Sequence, residues 1–145
     1  MASQEGISQD QTVDAGIDQR LQTRSLGETL AGIEECSAFY QMLVDADLLY
    51  VLRRSGLQTL FAPRNETLGE RGPEELEKLL DGSLLAGALE TFDLRRCKTV
   101  KTLAGEIVPV QAENGSFRVG GALITRSDIP CTNGVLHIVN GLVTA

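Results

Sequence analysis

The chain holds one histidine, His137, and three cysteines, Cys36, Cys97 and Cys131. An imidazole beside a thiol or hydroxyl can activate a nucleophile for hydrolysis, because neutral histidine accepts a proton near physiological pH. The nucleophiles nearest in sequence are Cys131, Thr132 and Ser127, with Asp128 the nearest acid and Glu106 and Glu113 further off. Against that chemistry, no Gly-x-Ser-x-Gly turn lifts a serine out of a strand. His137 also sits inside an alternating apolar run, Val135-Leu-His-Ile-Val139. There a single imidazole reads as a packed, hydrogen-bonded core group.

Other chemistries find fewer ligands still. One histidine without a Cys-x-x-Cys pair does not point to zinc. Glu74, Glu75 and Glu77 fall in the first turn of a predicted helix. The helix dipole favours carboxylates there, and helical geometry fans them apart, so they read as a solvated face. Gly120-Gly121 and Gly134 lack the helix N-terminus that a phosphate-binding loop needs. No catalytic residue, metal or cofactor is therefore expected. The odd cysteine count leaves at least one free thiol unless chains pair. The three read first as buried small apolar groups, with at most one long-range disulfide.

The elements that position these residues follow from pattern and composition. The 145 residues suit one domain with its own core. Hydrophobic residues make up 42% and charged residues 23%, as in an ordinary globular protein. Tryptophan is absent and aromatics are 4%, so Leu, Val, Ile and Ala must fill the core. Leu dominates the first two thirds and Val and Ile the last third, which suggests helices first and strands later. The net charge of −7 argues against sequence-independent nucleic-acid binding. The cluster Arg95, Arg96, Lys98 and Lys101 reads as a solvated loop or a guarded edge strand. No run approaches the ~20 apolar residues of a membrane span. The segment Met1–Asp10 has neither the basic start nor the apolar run of a signal peptide.

Residues 1–24 are polar and read as a flexible tail, with the domain over 25–145. Ser25 and Glu28 have capping-box spacing ahead of Leu26, Leu30 and Ile33. Further helices are predicted near Ser37, from Asp47 to Leu52 with Gly56 beyond its end, from Gly72-Pro73, and over Leu84–Leu89. Leu57–Ala62 reads as a strand that Pro63 stops, with Asn65 capping a short helix through Leu68. Phe92–Leu94 reads as strand. From Thr99 the period is two, with Asn114-Gly115 a hairpin turn between Ile107–Val110 and Phe117–Val119. Ala122–Thr125 follows, Ile129-Pro130 marks a bend, and the Asn133-Gly134 turn precedes the strand with His137. Asn65-Glu-Thr and Asn114-Gly-Ser match the glycosylation sequon, with Asn114 at the more open position.

Two segments together resemble the signature pair of the fasciclin domain. Gln58-Thr-Leu-Phe-Ala-Pro-Arg-Asn-Glu-Thr-Leu68 is similar to the first motif, usually Thr-Val-Phe-Ala-Pro-Thr-Asn. Asn133-Gly-Val-Leu-His-Ile-Val139 is similar to the second, usually Asn-Gly-Val-Ile-His-Val-Ile-Asp. Val100-Lys-Thr-Leu103 and Val119–Ile129 fit the pattern between them, in the right order. The family's Tyr-His pair is replaced by Thr91-Phe92, and the closing Asp by Asn140, so neither role carries over.

The resemblance implies an α+β wedge of two β-sheets with helices packed on one side. It places both motifs on central strands close in space, with Thr59, Phe61, Pro63, Asn65, Asn133, Gly134 and His137 as structural or interaction residues. It further implies a non-enzymatic, monomeric adhesion module, outside the cell or in its envelope. Such a module binds a protein or a cell-surface or matrix glycan, without nucleic acid and without membrane insertion. The alternatives are a small hydrolase using His137 with Cys131 or a hydroxyl, and an intracellular protein-interaction domain.

Overall fold

A computed structural model describes residues 24–54, 56–69 and 72–144. The tail expected over residues 1–24 lies, Arg24 apart, outside the described residues. Five α-helices are described: α1 (Leu26–Ala31), α2 (Ser37–Asp45), α3 (Asn65–Leu68), α4 (Pro73–Gly82) and α5 (Thr91–Leu94). Seven strands accompany them: β1 (Gln58–Pro63), β2 (Leu84–Ala86), β3 (Thr99–Lys101), β4 (Ile107–Glu113), β5 (Ser116–Val119), β6 (Ala122–Cys131) and β7 (Gly134–Asn140).

Helix α1 starts where the capping residues demand. The Glu28 amide donates to Ser25 Oγ at 3.2 Å, and the Ser25 amide donates to Glu28 Oε1 at 2.9 Å. Its Leu26 and Leu30 are fully buried, as are Phe39 and Leu43 on α2. Burying each such side chain stabilises the fold by about 1.5–3 kcal/mol. The third predicted helix is instead a 3-10 turn over Leu49–Arg53. Asp47 adopts a positive φ (59°), which separates this turn from the end of α2. Helix α4 opens with the Gly72 amide bonded to Glu75 Oε1 at 3.2 Å.

Two short segments exchange their expected types. The helix predicted over Leu84–Leu89 is strand β2, because Leu84–Ala86 pairs antiparallel with Gln58–Leu60 of β1. The strand predicted at Phe92–Leu94 is helix α5, whose first amide is taken by Asp128 from across the fold. The bend predicted at Ile129-Pro130 is also absent. β6 continues to Cys131 and absorbs the irregularity as register shifts between Ile124 and Ile129.

The strands are hydrogen-bonded in the order β2-β1-β7-β6-β5-β4-β3. β4 pairs over Ile107–Pro109 with β3 and over Val110–Glu113 with β5, so the seven strands run on as one mixed sheet. The Asn114-Gly115 turn joins β4 to β5 as predicted, both residues having positive φ (51° and 82°). The architecture is thus α+β, as expected.

β1 and β7 are the described parallel pair, Gln58–Pro63 alongside Gly134–Val139. A parallel pair needs a long crossover, and the intervening chain supplies it. All six β1 residues are buried. Leu60, Ala62, Leu136 and Ile138 join one core with α1, α2, the 3-10 turns at Glu34–Cys36 and Leu49–Arg53, α3 and α4. Phe61 and Val139 join another with Leu85, Leu94, Val100, Val108 and Val119. Both faces of these strands are thus covered, as is usual for parallel pairing.

Candidate functional site

The two motif strands lie side by side in register. Thr59 pairs with Val135, Phe61 with His137 and Pro63 with Val139. Pro63 is the last β1 residue, and the next amide, Arg64, donates to Val139 O at 3.0 Å. Gly134 allows this approach. Its φ is 153°, and a Cβ there would overlap the Gln58 carbonyl of β1.

The asparagines act at a distance. Asn133 Oδ1 accepts from the Leu26 amide at 2.8 Å, filling a free position at the start of α1. Its Nδ2 donates to Leu52 O at 2.7 Å. Asn65 does not cap its own helix, whose capping residue is Arg64. Instead Asn65 Oδ1 accepts from the Ala38 amide at 2.8 Å, in the first turn of α2. Its Nδ2 donates to Glu34 O and Ser37 Oγ, both at 3.2 Å. Beside it, Glu35 bridges Arg64 (2.8 Å) and Arg126 (2.9 Å).

His137 is fully buried, and its ring stacks on Phe61 with centroids 5.4 Å apart at 18°. The Asp128 amide donates to Nδ1 at 3.1 Å. An amide can only donate, so Nδ1 is bare and the proton sits on Nε2. That nitrogen donates to Leu89 O at 2.8 Å. Burial lowers the imidazole's proton affinity, and the Leu89 carbonyl and the Asp128 charge oppose this less strongly.

Leu89 is where both motifs converge. Thr59 Oγ1 accepts from the Leu89 amide at 2.8 Å and donates to Gly87 O. Its carbonyl is held by His137. Asp128, on the bulged stretch of β6 with φ 60°, then accepts from the Thr91 amide at 2.7 Å and from Thr91 Oγ1. Thr59, His137 and Asp128 thus form a three-point clamp on the Gly87–Thr91 segment. Phe92 emerges directly after it, 61% exposed, with the Arg96 guanidinium 5.2 Å from its ring centre.

The dyad of His137 with Cys131 does not form. Cys131 contacts the helix-side core, and its Sγ donates to Thr29 Oγ1 at 3.4 Å. His137 stacks against Phe61 of the opposite core. Burial also pushes the Cys131 thiol up, away from the reactive thiolate. Cys131 and Thr132 line a cleft of about 390 Å³ with Glu90 and Pro130, and His137 is not among its lining residues. All three thiols are free, so the long-range disulfide that the spacing allowed does not exist. Cys36 is buried and its pKa is pushed up to about 12, chiefly by burial.

Asp128 and Leu89 were not readable as partners of His137. Asp128 stood out only as a nearby acid, and a backbone carbonyl carries no residue-type signal. Thr59 was marked by its motif, but its two bonds reach a segment with no pattern of its own.

Comparison with known proteins gives a consistent result. A family model described as "Fasciclin domain" matches residues 34–144. Protein sll1483 of Synechocystis sp. is 25% identical over 80% of this chain and 71% of its own length. Human periostin is 25% identical over 80% of this chain and 15% of its own length. The pig transforming growth factor-beta-induced protein ig-h3 is 29% identical over 78% and 18%. The chain therefore spans less than a fifth of the last two. Among solved structures, a FAS1 domain pair from the insect cell adhesion molecule fasciclin I superposes with a TM-score of 0.70 at 16% identity. That match covers 84% of this chain and 51% of the other.

Proposed function

The chain belongs to the fasciclin domain family, and on that premise we propose that it is a non-enzymatic adhesion module recognising a protein or a cell-surface or matrix glycan. The observation that carries this reading is the use to which the motif polar groups are put. His137, Thr59, Asn65 and Asn133 spend their described hydrogen bonds within the same chain, chiefly on backbone groups. They hold a scaffold and leave binding to its surface. The solved relative is described as a cell adhesion molecule, which agrees with this reading. The module works outside the cell or in its envelope, as a monomer that gains strength through repeated weak contacts.

Beads coated with the folded domain should be retained on native extracellular matrix or cell-envelope material. Soluble domain should compete that retention away. Retention no greater than that of beads carrying heat-unfolded chain would refute the reading.

A further inference from the structure

Within a chain of net charge −7, four cations fall in seven residues: Arg95, Arg96, Lys98 and Lys101. All four are exposed. The described ion pairs use Arg64 and Arg126, and none of these four. Asp93, the acid inside the neighbouring helix, turns its carboxylate to the Glu90 amide at 3.0 Å. Among the described residues, these four cations therefore make no ion pair.

They follow one another along the chain: Arg95 and Arg96 come after α5, Lys98 leads into β3, and Lys101 ends it. β3 is the last strand in the sheet order, and just beyond it the Leu103 amide donates to Leu84 O of β2 at 2.9 Å. At about 3.3 Å per residue, Lys98 and Lys101 stand about 10 Å apart along this edge.

A solvated edge explains the lysines but not their apolar neighbours. The two most exposed large hydrophobic side chains described are Ile107 (62%) and Phe92 (61%). Ile107 is the direct cross-strand partner of Lys101. Phe92 carries the Arg96 guanidinium. Exposed apolar groups set among cations mark a contact surface for an anionic partner that also has apolar faces.

We propose that this α5–β3 edge binds a linear acidic polysaccharide. Repeated carboxylates or sulfates match successive exposed cations, and the C–H faces of sugar rings match the exposed Phe92 and Ile107. The patch begins where the three-point clamp ends, so the motif residues fix its first anchor, Phe92. This inference names the partner class of the adhesion reading and rests on it.

The test uses the full chain with heparin and hyaluronan as probes, by affinity chromatography and calorimetry at several salt concentrations. Binding should weaken steeply with salt, as counterion release requires. The double variant Lys98→Glu/Lys101→Glu should lose about tenfold or more in affinity. Lys78→Glu, at an exposed position of α4, changes net charge similarly and should retain wild-type affinity when compared with Lys101→Glu alone. Phe92→Ser should weaken binding while the thermal midpoint stays near wild type. Equal loss in Lys78→Glu, or no binding at low salt, would overturn the proposal. So would preference for phosphatidylserine vesicles or duplex DNA over both polysaccharides. Retention on native matrix together with indifference to polysaccharide would sink this inference and leave the adhesion reading standing.

Discussion

Replacing His137 by alanine removes three things at once. The Phe61 stack contributes about 1 kcal/mol beyond burial. The Asp128 amide and the Leu89 carbonyl lose their partners, at about 1–3 kcal/mol for each buried group left unsatisfied. The missing ring leaves a cavity at a fully buried position, which partial collapse offsets only in part. The stack and the two polar groups alone come to about 3–7 kcal/mol. His137→Phe retains the stack and most of the volume, so it isolates the two polar losses at about 2–6 kcal/mol. Urea unfolding followed by far-UV circular dichroism suits a chain without tryptophan. The alanine variant should shift the midpoint down by about 2 M, and phenylalanine by less. Amide exchange should quicken at Asp128 and Thr91 in both, because the clamp loses one of its three points. A His137→Ala midpoint within about 0.5 M of wild type would refute the structural role of this residue.

Four further outcomes follow from the same geometry. Folding holds His137 neutral, and its proton affinity is lowered from the usual value of 6.5. Its contribution is therefore complete above pH 6.5 and is lost as pH falls below that, since the unfolded chain protonates first. Urea midpoints at pH 7.5 and 5.0 should show an acid loss in wild type that His137→Phe lacks. Gly134→Ala should cost at least about 3 kcal/mol, because the added methyl overlaps the β1 backbone. Gly27→Ala, in open space within α1, should instead gain a few tenths to about 1 kcal/mol, as thermal melts can read. Asn65→Ala should cost about 1–2 kcal/mol by uncapping α2, with exchange quickening at the Ala38 amide rather than within α3.

Features written in local sequence were legible. The Ser25–Glu28 box, the Asn114-Gly115 turn and the two motif strands each depend on residues a few positions apart. The pairing of β1 with β7 was legible through family resemblance, since no local rule joins Phe61 to His137. What failed was non-local. Leu84–Ala86 carries good helix formers, yet becomes a strand because β1 offers it an edge. Thr91–Leu94 becomes a helix because Asp128, 37 residues on, takes its first amide. Asn65 has the right chemistry for a cap, but the helix it serves starts 28 residues earlier, at Ser37. The chemistry of the site is hidden for the same reason. His137 with Cys131 is close in sequence but belongs to the opposite core, whereas Leu89, 48 residues away, is its true partner.

Because the chain has a single histidine, its imidazole can be observed without assignment ambiguity. Long-range nitrogen–proton NMR should show one neutral ring with the proton on Nε2, slow exchange with solvent, and close contacts to the Phe61 ring. That spectrum should persist as pH falls through 6.5. A freely exchanging imidazole that titrates as in an unfolded peptide, without contact to Phe61, would contradict the clamp and the architectural role given to both motifs.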